Sequence, residues 1–418
     1  MQLSLVGINH QTAPLAIREK VAISTEKLAD SLSLVRSCVP HGVILSTCNR
    51  TEIYTTASDG CRAEKVGLDF LKTWASIPYD DLQRYVYVLK NEDAVEHLFR
   101  VAGGLESMIV GEFEVLGQVK QALAVAQRKD MVNLPLRQLL QSAIRTGRRV
   151  RAETGISKSA LSVSSVALDF AAGIVGDLNE CKMLVIGTGE AGRLVAKVAG
   201  DRGTPRIVIA SRTRERASTL ATALNAIPIG FDNLADELTN ANMVVTCTGA
   251  PHWILDFHKI EEIMESRPEL PLMIIDIAMP RNVEPEVGRI RNVFLYNIDD
   301  LTEVSNLNRK QRESEIRDVE EIIRFEIDKF MSWWQILEVR PTVSALMSQS
   351  EKIRLAQLNK TLKKLPPLSD EQRESLEAMT KSIIAKILKD PIIYLNANGN
   401  SNQVKMVREL FRLNIERH

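Results

Sequence analysis

A cysteine in a short polar link between two apolar runs is the first candidate for chemistry in this sequence. Cys48 lies in residues 46–54, after the apolar run 42–45 and before a second strand-like run, 53–56. Such a link is typical of a strand end or tight turn, where functional side chains are often carried. A thiol reacts as the thiolate, and Arg50 is a neighbouring cation that lowers a thiol pKa. The stretch predicts a nucleophile, with a buried structural cysteine as the alternative.

A histidine and a polar loop offer further reactive groups. His97 lies in a helical pattern, and its unperturbed pKa of about 6.5 suits a general acid, although a lone helical histidine is more often structural. Residues 106–120 combine carboxylates, an amide and a hydroxyl close to glycines. This composition fits a binding loop, and the alternative is a helix-breaking connection with a solvated face.

A glycine-rich loop stands between an apolar run and a helical pattern. Residues 182–186 form the run, 194–199 the helical pattern, and 187–192 read Gly-x-Gly-x-x-Gly. The motif alone is weak, but a strand before it and a helix after it are typical of a dinucleotide-binding unit. Backbone N–H groups at such a helix N-terminus bind the pyrophosphate. The residues expected there are Gly187, Thr188, Gly189, Glu190, Ala191 and Gly192.

The end of the next strand distinguishes between the two nicotinamide cofactors. Sites that prefer NADH place a carboxylate there for the ribose 2′-hydroxyl. Here the run 206–210 leads into Ser211, Arg212, Thr213 and Arg214, with no carboxylate. Because the arginines can bind a 2′-phosphate, we expect NADPH to be the cofactor, with Ser211 and Arg212 in its site.

Composition restricts the class of protein. The chain has 418 residues, of which 45% are hydrophobic and 25% charged, which predicts about three globular domains. Lys+Arg and Asp+Glu both total 53, so nucleic acid would need a local patch such as the arginines of 145–151. Five scattered cysteines without a C-x-x-C pair predict a reducing compartment and no metal site. No apolar run has the roughly 18 residues of a membrane span, and no signal peptide is visible. We expect a cytoplasmic protein.

The order of the elements predicts an α/β multidomain chain. Strands and helices in the first 100 residues alternate as β-α-β-β-α-β, typical of a ferredoxin-like α+β domain, with a helical extension to residue 151. Strand-like runs between 182 and 296 predict a Rossmann-type domain. Residues 299–338 contain no Gly or Pro and predict a long linking helix that is interrupted at Pro341. Later helices have little chain to cover their apolar faces, which favours an all-α dimerisation domain over a monomeric bundle.

Several motifs together resemble the glutamyl-tRNA reductase family. They are residues 7–14, 46–52, the loop 111–120, and 187–190. The resemblance covers nearly the whole chain in order. It implies a catalytic, glutamyl-tRNA-binding domain at 1–156, an NADPH-binding Rossmann domain at 157–298, a long linking helix at 299–340 and a helical dimerisation domain at 341–418.

The resemblance implies a reaction. NADPH reduces glutamyl-tRNA(Glu) to glutamate-1-semialdehyde, the first step of 5-aminolevulinate and porphyrin biosynthesis from glutamate. Cys48 would attack the ester carbonyl and form a thioester, Arg50 would bind the substrate carboxylate, and His97 would be needed for activity. The other substrate-binding positions it implies are Thr47, Asn49, Ser107, Glu112, Phe113, Glu114 and Gln118. The family usually has Glu-Pro-Gln where this chain has residues 112–114, so a carboxylate replaces an amide at Glu114.

The resemblance also implies a homodimer through the C-terminal helices and a glutamate-1-semialdehyde aminotransferase that receives the product. Two alternatives remain. A shikimate-dehydrogenase-like NADP oxidoreductase would act on a small free substrate and would not need the Cys48 loop. A non-catalytic regulator that binds tRNA or haem would not need intact Cys48, Gly187, Gly189 and Arg212.

Overall fold

The computed structural model describes residues 2–57, 60–112, 114–156, 163–175, 178–301, 312–398 and 401–413. These residues form two units, Met1–Phe325 and Glu326–His418. The first unit contains both β-sheets and the second is helical.

An antiparallel sheet forms the first part of the chain. Its strands are β1 Gln2–Asn9, β2 Gly42–Ser46, β3 Arg50–Ala57 and β4 Tyr87–Lys90. They lie in the order β2-β3-β1-β4, and all neighbours are antiparallel. This arrangement confirms the predicted ferredoxin-like fold. Because β2 and β3 pair up to Ser46 opposite Thr51, Cys48 lies in the hairpin link between them.

Seven helices of the described chain surround this sheet and extend it. They are α1 Leu15–Val21, α2 Leu28–Arg36, α3 Gly60–Ala75, α4 Tyr79–Leu82, α5 Asn91–Gly103, α6 Glu114–Arg128 and α7 Leu134–Glu153. Helix α5 carries His97 and ends at Gly104, whose φ of 81° is left-handed. A Cβ at Gly147 of α7 would lie 2.4 Å from the Ala102 carbonyl oxygen, so glycine allows α5 and α7 to pack closely.

A parallel sheet follows. Its strands are β5 Lys182–Ile186, β6 Arg206–Ala210, β7 Ile227–Ile229, β8 Met243–Thr246, β9 Leu272–Asp276 and β10 Val293–Asn297. The order β10-β9-β8-β5-β6-β7 reverses its direction beside β5, as in a doubly wound Rossmann-type sheet. The flanking helices are α8 Val163–Val175, α9 Glu190–Asp201, α10 Arg214–Leu224, α11 Leu234–Asn240 and α12 Phe257–Ser266. Successive strand residues enter two separate apolar clusters, so both faces of the sheet are buried.

A 50-residue helix, α13 Glu313–Leu362, begins in the first unit and continues into the second. The sequence predicts an interruption at Pro341, but the helix continues through it. Proline removes one helical hydrogen bond, and the buried Val339 and Thr342 on either side pack well enough to keep the helix intact. Among the described helices, none combines the length and apolarity needed to cross a membrane.

The remaining helices are α14 Asp370–Asn398 and α15 Ser401–Leu410. A capping box precedes α14: Ser369 N donates to Gln372 Oε1 at 3.1 Å, and Gln372 N donates to Ser369 Oγ at 3.3 Å. The apolar face of α14 exposes 48% of Ile383 and 64% of Ile387 in the single chain, in keeping with the little chain available to cover it. An exposed apolar face of this kind is typical of a surface that a second chain covers.

Candidate active site at the Cys48 hairpin

Thr47 shapes the hairpin that carries Cys48. Its Oγ1 accepts hydrogen bonds from the backbone N–H groups of Asn49, at 3.0 Å, and Arg50, at 3.2 Å. The hairpin is tied to the neighbouring strand end, since His10 N donates to the Asn49 carbonyl at 2.9 Å. Thr47 therefore supports the turn itself, whatever contact it makes with a substrate.

Cys48 is partly buried, beside an apolar cluster formed by Leu15, Met108 and Ile298. The pKa of its thiol is raised to about 12, chiefly by burial and also by the carboxylates of Glu112 and Glu114, while the Arg18 guanidinium acts in the opposite direction. The sequence predicts that Arg50 is the cation that lowers the pKa of this thiol. The structure instead places Arg18 close to the hairpin, where its Nη1 lies 3.3 Å from the Cys48 carbonyl oxygen.

A buried carboxylate, Glu52, organises two of the predicted site residues. Its Oε1 accepts hydrogen bonds from Arg50 Nη1 at 2.9 Å, His97 Nε2 at 2.8 Å and the Tyr87 hydroxyl at 2.7 Å. Its Oε2 accepts from the Tyr54 hydroxyl at 2.7 Å. Burial by itself would raise the pKa of Glu52, but His97 and Arg50 hold it well below its usual range. Glu52 is therefore ionised and fixes the Arg50 and His97 side chains in place.

The sequence contains one signal that points to Glu52. Arg50, Glu52 and Tyr54 alternate along β3, so their side chains point to the same face of the sheet. Three polar side chains on a buried face require partners, and Tyr87 and His97 supply them from β4 and α5.

Arg50 is also held from its other side. Its Nη2 donates to the Glu106 carbonyl oxygen, and only 3% of the residue is exposed. Glu106 in turn accepts a hydrogen bond from Arg100 Nε at 2.7 Å. The guanidinium predicted to bind substrate is thus oriented before any substrate arrives.

The loop that follows α5 brings the predicted carboxylates towards Cys48. Ser107 and Glu112 are both buried, and the loop turns at Gly111, whose φ is 87°. Burial, together with the Glu114 carboxylate, raises the pKa of Glu112 to about 8. Glu114 begins α6, and Gln118 follows one turn later on the same helix. Phe113 lies outside the described residues.

Glu114 also faces the nucleotide-binding part of the chain. Burial raises its pKa, and the carboxylate of Glu190 adds to the shift. Glu190 belongs to the predicted Gly-x-Gly-x-x-Gly loop and pairs with Arg193 on the surface. Glu114 is therefore within electrostatic range of the glycine-rich loop.

The glycine-rich loop has the geometry of a dinucleotide site. Gly187 has φ 130°, and Gly189 caps the N-terminus of α9. A Cβ at Gly192 would lie 2.2 Å from the Gly187 carbonyl oxygen, whereas one at Gly189 would meet no atom within 4 Å. The loop thus packs closely on the strand side and leaves open space at the helix N-terminus, which fits a pyrophosphate. Thr188 and Ala191 complete the loop.

The residues expected to select NADPH lie after β6. Ser211 is buried, and its Oγ accepts a hydrogen bond from Thr213 N at 3.3 Å. Arg212 is exposed, as a side chain that binds a 2′-phosphate at the site entrance must be. The cluster of arginines at 145–151 is partly engaged within the chain, since Arg149 pairs with Glu153 at 2.9 Å.

Comparison with known proteins agrees with this arrangement of domains. The model of the glutamyl-tRNAGlu reductase N-terminal domain matches residues 6–154, and that of the glutamyl-tRNAGlu reductase dimerisation domain matches residues 318–413. Between them, residues 169–304 match the shikimate / quinate 5-dehydrogenase model. The shikimate-dehydrogenase-like alternative therefore describes the middle domain, while the domains on either side are of a different kind.

Relatives that align over nearly the whole chain are glutamyl-tRNA reductases. The glutamyl-tRNA reductase of Carboxydothermus hydrogenoformans is 38% identical over 100% of this chain and 94% of its own length. That of Citrifermentans bemidjiense is 37% identical over 99% and 97%. The solved structure of glutamyl-tRNA reductase from Methanopyrus kandleri is 34% identical, with a TM-score of 0.53 and 99% of each chain covered. Identity at this level over the whole length shows that the chain belongs to the glutamyl-tRNA reductase family.

Proposed function

We propose that this chain reduces glutamyl-tRNA(Glu) to glutamate-1-semialdehyde with NADPH and releases the tRNA, the first step of 5-aminolevulinate and porphyrin biosynthesis from glutamate. The observation that carries the proposal is the packing of Met279, just beyond the carboxyl end of β9, into the same apolar cluster as Cys48. The carboxyl ends of parallel strands are where doubly wound sheets bind their ligands. The nucleophile therefore lies at the edge where a nicotinamide binds.

The proposed chemistry divides the reduction into two steps. The Cys48 sulfur attacks the ester carbonyl carbon, a C–S bond forms, and the bond to the tRNA ribose oxygen breaks. NADPH supplies the hydride that converts the thioester to the aldehyde, and the thiolate leaves as the C–S bond breaks. The raised thiol pKa means that Cys48 must lose its proton during the attack. Glu112, whose pKa of about 8 lies near neutrality, is suited to accept that proton.

The remaining residues have positioning and binding roles in this proposal. Arg50 binds the substrate carboxylate, because its guanidinium is already oriented by Glu52. His97 acts as general acid towards the leaving oxygen; since Nε2 is bonded to Glu52, the proton would come from Nδ1. The other proposed substrate-binding residues are Thr47, Asn49, Ser107, Phe113, Glu114 and Gln118.

NADPH binds, in this proposal, with its pyrophosphate at residues 187–192 and its 2′-phosphate at Ser211 and Arg212. The domain division at 156, 298 and 340 remains part of the proposal. So do homodimerisation through the C-terminal helices, transfer of the semialdehyde to an aminotransferase, and a cytoplasmic location. The match to the dimerisation-domain model and the exposed apolar face of α14 support the dimer.

Withholding the cofactor tests the order of events. Without NADPH, water is the acceptor for the acyl group on Cys48, so the protein should release glutamate slowly from glutamyl-tRNA. Cys48→Ser should lose both this hydrolysis and the reduction, because an alcohol is a poor nucleophile near neutral pH. Gly189→Asp should lose reduction alone, since a carboxylate at the helix N-terminus repels the pyrophosphate.

Direct detection of the intermediate completes this test. Acid-quenched enzyme incubated with labelled glutamyl-tRNA should carry the label on Cys48 in mass spectrometry. If Cys48→Ser still produces semialdehyde, or the label is never found on Cys48, the covalent mechanism is wrong and the ester would be reduced directly.

A further inference from the structure

Two adjacent residues of helix α1 form ion pairs with the nucleotide-binding part of the first unit. Arg18 Nη2 donates to Asp299 Oδ1, just after β10. Glu19 pairs with Arg281, in the loop that follows β9. Both strands present their carboxyl ends here, so α1 contacts the edge of the sheet at which a nicotinamide binds.

The Glu19–Arg281 pair is the stronger of the two contacts in its geometry. Arg281 Nε donates to Glu19 Oε1 at 2.8 Å, and Nη2 donates to Oε2 at 2.8 Å. Arg281 N adds a third hydrogen bond to Oε1 at 2.7 Å. A bidentate carboxylate with an additional backbone donor fixes both the side chain and the main chain of the loop.

The other end of that loop is fixed within its own domain. The Asp276 carboxylate, at the end of β9, accepts hydrogen bonds from the backbone N–H groups of Asn282, at 2.8 Å, and Val283, at 2.9 Å. The Thr246 hydroxyl donates to Asp276 at 2.7 Å. The loop is therefore a small rigid element, attached to the sheet by Asp276 and to α1 by Glu19.

Met279 lies within this loop, and Met279 and Cys48 both pack against the apolar cluster of Leu15, Met108 and Ile298. A displacement of the loop would move Met279 off this cluster and admit water on the side that Met279 covers. We propose that Glu19 is a positioning residue for hydride transfer: its pair with Arg281 holds the loop of residues 276–283 and the nicotinamide edge against Cys48. Glu19 thereby sets the fraction of the acyl-enzyme that is reduced and not hydrolysed. This inference rests on the thioester mechanism proposed above.

Charge reversal in the full-length protein tests the pair. At saturating NADPH, Glu19→Arg should lower the ratio of semialdehyde to released glutamate by about tenfold or more, the loss expected for a bidentate charged contact. Arg281→Glu should do the same. The double variant, which restores opposite charges, should return to within about threefold of wild type. Acylation of Cys48 in the absence of NADPH should continue at the wild-type rate in Glu19→Arg.

A matched control separates this role from general loss of structure. Glu237→Arg breaks the Arg206–Glu237 pair, in which Arg206 Nη2 donates to both carboxylate oxygens, at 2.8 and 3.0 Å, within the nucleotide-binding domain. It should leave the product ratio unchanged. An unchanged ratio in Glu19→Arg, a double variant no better than either single variant, or an equal loss in Glu237→Arg would each overturn the proposal.

Labelling of Cys48 in the same experiment distinguishes the two proposals. If wild-type Cys48 carries no label, the covalent step is wrong, and Glu19 is then judged by the rate of semialdehyde formation in the single and double variants. If Cys48 is labelled equally in every variant while the product ratio does not change, the positioning role alone is wrong.

Discussion

Replacing Glu52 by glutamine removes the charge that holds Arg50 and His97. Four side-chain donors converge on the carboxylate, and Arg50 is only 3% exposed. The amide has one acceptor oxygen and directs an NH₂ group towards donors, so Arg50 loses its counter-charge in a buried site. Breaking a buried ion pair by removing one partner costs about 3–5 kcal/mol. We expect Glu52→Gln to lose about that much free energy of unfolding at pH 7.

The pH dependence follows from the direction of the pKa shift. Because His97 and Arg50 hold the folded-state pKa of Glu52 below its ordinary value of 4.5, the contribution of the carboxylate is complete above that value. It is lost as the pH falls through the folded-state pKa. The difference in stability between wild type and Glu52→Gln should therefore be constant from about pH 6 to 8 and should shrink below about pH 4.

Urea denaturation at several pH values measures this difference, and steady-state kinetics measure its effect on the site. Misplacement of Arg50 by about 1 Å should lower kcat/KM for glutamyl-tRNA by about 100-fold. Glu237→Gln is the control, because its partner Arg206 has 42% of its side chain exposed and the pair should contribute less than about 1 kcal/mol. A Glu52→Gln protein within about 0.5 kcal/mol of wild type at pH 7 would refute the electrostatic role of Glu52.

Three further changes test other parts of the site. Arg212→Asp should move cofactor preference from NADPH towards NADH, and an unchanged ratio of the two KM values would contradict the assignment. Burial raises the pKa of Glu112 from 4.5 to about 8, so wild type should lose stability as the pH rises between these values; Glu112→Gln should not, as denaturation at pH 5 and 9 would show. A chain that ends near Val339 should be monomeric in light scattering, and dimers would locate the interface elsewhere.

The Cys48 hairpin could be predicted from the sequence because contiguous residues build it. Two β-rich runs joined by a short polar link define the turn, and Thr47 closes it with bonds to its own neighbours. The glycine-rich loop was predictable for the same reason, since Gly187 and Gly192 meet steric requirements and Gly189 leaves open space at the helix N-terminus, all within six residues.

The charges around Cys48 could not be predicted in this way. The sequence places Arg50 two residues from the thiol, but β3 directs that guanidinium to Glu52. The carboxylates that raise the thiol pKa are those of Glu112 and Glu114. They follow α5 in the chain, and the fold brings them close to the hairpin. Similarly, the prediction of an interruption at Pro341 was wrong, because the buried Val339 and Thr342 on either side of it hold α13 together. In both cases tertiary contacts outweighed a correct local preference.

The contacts between α1 and the nucleotide-binding domain could not be predicted from sequence motifs. Arg18 and Asp299 are 281 positions apart, and Glu19 and Arg281 are 262 apart. Each is an ordinary charged residue, and an Arg-Glu pair on a seven-residue helix predicts only a solvated surface. In the proposed mechanism, hydride transfer requires the acylated thiol and the nicotinamide to meet within a few ångströms. The two motifs would supply the reacting groups, and the relative position of those groups would depend on residues that belong to neither motif.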